Sequence, residues 1–181
     1  GHTFAEILKI ADEGKALPHF ALPTSVRATV AVDSQIVESQ NVAGIVRGSD
    51  PVLSGEFVVL TAHLDHVGLG AEIDGDGIYN GTMDNASGIA TLIESASVIA
   101  RAKPKRSVVF VAVTAEEKGL LGSRYFSRNP TVPGDGIVAN INMDMFLPLF
   151  PLKAVMVFGL DESEVGAATR NTLGRLDAAL A

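Results

Sequence analysis

His63, Asp65, Asp84, Glu116, Glu117 and Asp144 are the residues of this chain whose types and spacing could do chemistry. Five of them stand where an apolar run stops. "VVLTAHLD" closes on His63 and Asp65, "VVFVAVTAEE" on Glu116 and Glu117, and "ANINMD" on Asp144, while Asp84 stands just ahead of a long helical pattern. In an open α/β sheet, ligands bind outside the carboxyl ends of the strands. Like charges gathered on that edge repel by kcal/mol at short range unless a cation sits among them. The convergence therefore predicts a metal. Taken singly, each residue has a plainer reading: an acid after a strand is commonly a helix cap or a solvated loop residue, Asp84 could be an N-cap, and His63 a satisfied core histidine. It is the set, obeying one geometric rule, that the plainer readings do not explain.

Other motifs are poorer candidates. "DGDGIYNG" lacks the oxygen ligand that an EF-hand loop needs at its fifth position. "DNASG" is not a G-x-S-x-G elbow, which makes Ser87 a poor nucleophile, and "GLGAEIDG" is not a dinucleotide fingerprint. "NAS" at 85–87 is formally a glycosylation sequon, at the start of a packed helix.

The elements that must position these groups follow from periodicity. "TFAEILKIADEGKA" spaces Phe4, Ile7, Leu8 and Ala11 on one helix face, with Gly14 as its stop. "SVRATVAVDSQIVESQNVAGIV" alternates apolar and polar residues as half-buried antiparallel strands do. "EFVVLTAHLD" reads as a central strand, and "GLGAEIDGDGIYNGT" as a surface loop. From Asn85 onward Ile89, Leu92, Ile93, Ala96, Ile99 and Ala100 mark the clearest helix, ending before Pro104. "SVVFVAVTA" is a second apolar strand, "GLLGSRYFSRN" a short helix, "GIVANINMDM" a third strand, "KAVMVFG" a fourth, and "ESEVGAATRNTLGRLDAALA" a last helix. Strands alternating with helices predict an α/β fold, a sandwich around a mixed sheet with a parallel centre and antiparallel additions early in the chain.

The 181 residues suffice for one domain with a full core, and 47% hydrophobic with 19% charged residues is a globular composition. A formal charge of −7 argues against nucleic acid as a partner. With no cysteine, disulfides, thiolate metal sites and cysteine nucleophiles are excluded. No apolar run reaches the roughly 18 residues of a membrane helix, so no membrane partner is expected. The first residues show no signal-peptide pattern, and the Gly1-His2 start leads us to expect a processed or excised product.

"TAHLDHVG", "YNGTMDNASGIA", "TAEEKGLLGS" and "NINMDM" together resemble the successive motifs of the co-catalytic zinc aminopeptidases, relatives of bacterial leucyl aminopeptidase and glutamate carboxypeptidase. The resemblance runs from Phe57 to Met145, in order. It implies a three-layer α/β/α sandwich, two zinc ions and hydrolysis of terminal peptide bonds, with peptides as substrates. By position, His63 and Asp144 match the ligands of one zinc, Asp84 the bridge between both, and Glu117 a ligand of the second. Asp65 matches the group that holds the imidazole of His63 in its tautomer, placed on the same strand face by its two-residue spacing. Glu116 matches the general base that takes a proton from the attacking water. The "DHVG" ending is similar to exported bacterial members, which implies a periplasmic or extracellular protein, and residues 1–40 resemble a segment flanking an inserted domain absent here.

One departure stands out. In the family the remaining ligand of the second zinc is a histidine well downstream, and here no histidine follows His66, which has no assigned role. His2 and His19 lie upstream without a matching motif. A damaged second site is one account. A single catalytic domain incomplete at its C-terminus is the other, favoured because Asp65 and Glu116 have not eroded. On either account the second zinc site lacks a ligand, and the expectation is weak metal binding and little hydrolysis by this chain. Uncovered apolar surface would then favour homo-oligomers. A non-catalytic scaffold and a glutaminyl-cyclase-like acyltransferase are the alternatives to an exopeptidase.

Overall fold

An apolar strand that lacks alternation has to be covered on both faces, and Phe57–His63 (β2) is. The computed structural model of the chain describes residues 1–21, 24–146, 153–175 and 179–180. Within it β2 lies inside a four-stranded sheet, flanked by Ser107–Val113 (β5) and Ile137–Asn142 (β6), both parallel to it. Val42–Val46 (β1) completes the order β1-β5-β2-β6, antiparallel to β5. The expected mixed sheet with a parallel centre is therefore present.

Period-2 alternation sends the two sets of side chains to opposite faces. Leu60, Ala62, Val108 and Phe110 face Leu92, Ile89, Ala96 and Ile99 of the long helix Ser87–Ala102 (α2). Phe57, Val59, Val109, Val111 and Val113 form the second cluster, which Phe126 of Leu121–Arg128 (α3) covers. Helix, sheet and helix make three layers. The chain leaves β2 for β5 by way of α2, then β5 for β6 by way of α3, so β2 receives parallel neighbours on both sides. That arrangement places the carboxyl ends of β2, β5 and β6 side by side.

By contact the chain divides into Gly1–Val37 and Glu38–Ala181. The first unit contains the helix Phe4–Asp12 (α1), opened by a Thr3–Glu6 capping box and followed by Gly14 at φ 64°. Here the alternating pattern misleads. Of the strands expected between residues 25 and 46 only β1 forms, and Val30, Val32 and Ile36 are exposed. Alternation is a local signal, whereas a strand needs a partner, and among the described residues 24–41 pair with none.

Three further differences stand in the second unit. The presumed loop after β2 is a hairpin, Gly68–Ile73 (β3) with Asp76–Tyr79 (β4), turning at Asp74 and Gly75, both at positive φ (53° and 86°). Asp-Gly is a favoured pair for that turn. The expected fourth strand shrinks to Ala154–Val155 (β7), which pairs with Ala179–Leu180 (β8) instead of joining the main sheet. The last helix is Glu164–Arg175 (α4), so the helix predicted through residue 181 gives way to a strand at 179–180; residues 176–178 lie outside the described set. No described helix is long and apolar enough to cross a membrane.

Candidate metal centre

Every residue singled out from the sequence comes to the carboxyl edge of the parallel strands. His63 ends β2 with its ring almost fully buried, 3% exposed. Its Nε2 lies 3.0 Å from Asp84 Oδ1 and 3.4 Å from Asp144 Oδ1. On the other side of Asp84, Oδ2 is 3.8 Å from His66 Nδ1, which is itself 2.8 Å from Glu117 Oε1. Two groups of three donors thus share one carboxylate: His63, Asp84 and Asp144, and His66, Asp84 and Glu117, with the donor atoms of each within 4.8 Å of one another.

Hydrogen bonds from the scaffold set these positions. Thr61 donates to Asn142 Oδ1 at 2.8 Å, and the Met143 amide donates to the Thr61 carbonyl at 2.8 Å, which brings Asp144 to the end of β2. Asn85, 2% exposed, donates through Nδ2 to the Met143 carbonyl at 3.0 Å. Its Oδ1 accepts from the amides of Gly88 at 2.9 Å and Met145 at 3.2 Å. One amide side chain therefore ties the Asp84 turn, the start of α2 and the Asp144 segment together. A Cβ on Gly88 would lie 2.3 Å from Asn85 Oδ1, so that contact requires glycine. Because its amide is consumed inside the protein, Asn85 is not a glycosylation acceptor despite its sequon.

Asp65 acts differently from the strand-face expectation. β2 stops at His63, so the two-residue spacing no longer sets direction. His63 Nδ1 meets the main-chain carbonyl of Asp65 at 2.9 Å, while the carboxylate lies 3.9 Å away, too far for a hydrogen bond. That carboxylate instead accepts from the amides of Glu116 at 3.0 Å and Glu117 at 3.2 Å. The loop it holds is anchored again where Gly122 approaches Thr114, whose carbonyl oxygen would lie 2.2 Å from a Cβ there.

Electrostatics follow from this crowding. Burial pushes the Glu116 carboxyl above its ordinary range, helped by Glu117, Asp144 and Asp65 and opposed by His63. Burial disfavours the imidazolium of His63, but the Asp65 carbonyl and the carboxylates of Asp144, Glu116 and Asp84 outweigh it and raise its pKa. At 4.8 Å and an effective dielectric near 20, two carboxylates repel by about 3 kcal/mol. A cation between them reverses that sign. The donor sets suit zinc: each offers one imidazole nitrogen and two carboxylate oxygens, three protein ligands with a position left open. His66 Nδ1 and Glu117 Oε1 are moreover buried and, among the described residues, make no hydrogen bond, even to each other, as donors awaiting an ion would be.

A cleft of about 460 Å³ opens beside His63, Glu116 and Asp144, walled by Val59, Val113, Leu120, Phe126 and Ile137. Among the described residues, no lysine or arginine lines it. The site residues that sequence reasoning missed are His66, Asn85 and Thr61. Only His66 carried a usable signal, as an imidazole three residues from His63.

Known proteins are similar to this chain. A probable leucine aminopeptidase 2 of Aspergillus fumigatus is 34% identical over 160 residues, covering 86% of this chain and 29% of the relative. A probable zinc metalloprotease of Pyrenophora tritici-repentis is 40% identical over 73 residues, 40% of this chain and 17% of that protein. Among solved structures, BSAP, a zinc aminopeptidase from Bacillus subtilis, superposes with a TM-score of 0.62 at 25% identity, over 78% of this chain and 34% of that one. The chain thus spans a third or less of the length of the two sequence relatives. Residues 41–180, which hold every group of the centre, match the sequence profile of peptidase family M28, and to that family the chain belongs.

Proposed function

We propose that this chain carries the catalytic centre of a zinc-dependent exopeptidase that removes N-terminal residues from peptides. The observation that carries the reading is the pair of donor groups sharing Asp84 beside Glu116 and an apolar cleft. His63, Asp84 and Asp144 would hold one ion, and Asp84 and Glu117 would contribute to a second. When bound, paired zinc ions polarise the scissile carbonyl and make water a nucleophile at neutral pH. The chain's own groups do the rest. Glu116, held by its amide on the Asp65 carboxylate, takes the proton of the attacking water at its own carboxylate and returns it to the leaving amine. The apolar wall accepts a hydrophobic side chain. Among the described residues no lysine or arginine lines the cleft to pair with a terminal carboxylate, which supports aminopeptidase over carboxypeptidase action.

The test is hydrolysis of leucine p-nitroanilide, its loss on chelation and its return with zinc. Glu116→Gln is expected to lower kcat by about 10²–10⁴-fold at unchanged metal content. Full activity of that variant, or hydrolysis indifferent to chelator, contradicts the proposal.

A further inference from the structure

Glu116 and Glu117 stand on the loop that leaves β5 at Val113 and enters α3 at Leu121, and its main chain is not relaxed. Ala115, Gly119 and Leu120 have positive φ, at 53°, 98° and 61°. For alanine and leucine that conformation is costly, and it persists only where surrounding contacts impose it. The Asp65 carboxylate grips the amides of Glu116 and Glu117 from within. The base of the loop is gripped by Asn41. β1 begins with Val42 opposite Ala112, so the residue just before β1 lies alongside the point where the chain leaves β5. Asn41 Oδ1 accepts from the Thr114 amide at 3.0 Å, and its Nδ2 donates to the Gly122 carbonyl at 2.8 Å. The Gly122 amide donates in turn to the Thr114 carbonyl at 2.9 Å, which closes a ring across both ends of the loop. A Cβ on Gly122 would lie 2.5 Å from Asn41 Oδ1, so the clamp closes only over glycine.

We infer that Asn41 is a positioning residue for Glu116: its amide holds the two ends of the loop 114–122 together and so fixes where the Glu116 carboxylate stands at the sheet edge. The inference rests on the reading of Glu116 as the group that takes the proton of water. A plainer role, closing the end of β1, accounts for the bond to Thr114 alone. Main-chain pairing of β1 with β5, carried one step further, would serve that amide with almost any residue at position 41. The bond to Gly122 belongs to no ladder, since Gly122 is the second residue of α3. Making both bonds takes a side chain with an acceptor and a donor in one planar group, which the amide of asparagine supplies. Without it the two left-handed residues, Ala115 before the carboxylates and Leu120 after them, lose the contacts that impose their conformation. The loop then relaxes, and Glu116 leaves its place in the lining of the cleft. A displacement of the order of 1 Å is enough to impair a proton transfer.

The experiment follows amide hydrogen exchange by NMR in the full chain kept free of metal by chelator. In Asn41→Ala the amides of Glu116 and Glu117 should exchange faster by about tenfold or more, while those of β2 change less. Ser107→Ala is the matched comparison. Ser107 Oγ accepts from the Gly48 amide at 3.0 Å and donates to the Ser54 carbonyl at 2.6 Å, at the opposite end of β5. Its loss removes two bonds of the same kind and should leave the Glu116 loop protected. With zinc in excess, Asn41→Ala should hydrolyse leucine p-nitroanilide with kcat lowered about 10–100-fold and KM within about twofold of wild type. Unchanged exchange at Glu116 and Glu117 overturns the inference, as does an equal loosening of the loop in Ser107→Ala, or a kcat that stays at the wild-type value. A wild-type chain without zinc-dependent hydrolysis defeats the proposed function instead, and exchange then decides on the clamp by itself. Should Asn41→Ala fail to fold, Asn41→Asp takes its place, keeping the acceptor for Thr114 and losing the donor to Gly122. Partial loosening of the loop is expected there, and wild-type protection overturns the inference.

Discussion

Removing the side chain of Asn85 tests whether the metal centre is held by the hydrogen bonds beneath it. In Asn85→Ala the Met143 carbonyl loses its donor, and the amides of Gly88 and Met145 lose their acceptor. Met143 and Gly88 are buried, so two of these groups are orphaned where water enters poorly. At about 1–3 kcal/mol for each, the loss is about 2–6 kcal/mol, with Met145 adding little because it is partly solvated. Equilibrium urea unfolding in excess chelator separates this from metal linkage. With a slope of about 2 kcal/mol/M, the midpoint should fall by about 1–3 M. Zinc affinity should fall as well, since Asn85 sets the distance from Asp84 to Asp144. Asn85→Asp sharpens the test. It keeps the acceptor but turns a carboxylate toward the Met143 carbonyl, which raises its folded-state pKa. Its penalty is therefore absent below the unfolded value of about 3.9, where the acid can donate, and grows as pH rises. A midpoint shift below about 0.3 M for Asn85→Ala, or a stability loss with zinc affinity untouched, would refute the reasoning.

Other perturbations follow from the same geometry. Asp65→Ala frees the amides of Glu116 and Glu117, and zinc affinity measured by chelator competition should drop about 10–100-fold, with Asp65→Asn between it and wild type. Stripping zinc held at 100 times its dissociation constant removes about 2.7 kcal/mol of stability, which calorimetry should register as a melting point lowered by about 5–10 °C. Asp50 accepts from the amides of Val52 and Leu53, and those bonds lower its pKa. A lowered carboxylate stabilises above its unfolded pKa, so the melting-point gap between wild type and Asp50→Ala should be present at pH 7 and close as pH falls below about 3.8 through the folded value.

What the sequence made legible is what short-range pattern determines. β2 and β5 declared themselves as apolar runs too long and too unbroken for a one-sided strand, and α2 by its periodicity and its end before Pro104. The acids at the ends of those runs then fell into place, because strand direction alone sends them to one edge. Residues 25–41 misled, since alternation says nothing about whether a partner strand exists. The β3–β4 hairpin was hidden by glycine and aspartate that suggested loop, although Asp74-Gly75 was the turn pair itself. His66 was lost for another reason. Once β2 ends at His63 no period governs direction, and only the position of Gly81 and the Asp84 turn shows where that ring goes. Asn85 and Thr61 act through main-chain groups of Met143 and Met145 and the side chain of Asn142, partners about sixty or eighty positions away that no local pattern names.

The order of the strands also fixes when such a centre can come into being. β2 pairs with β5 and with β6, segments that leave the ribosome roughly fifty and eighty residues after it, so the first donor, His63, waits for Asp144. Long loops have to close before either pairing is rewarded, which makes assembly of this edge slow and late. Until Asp144 has been made, a nascent chain offers zinc only scattered, flexible donors. Metal capture is therefore a readout of completed sheet formation, and the ion arrives as a lock on a fold already made.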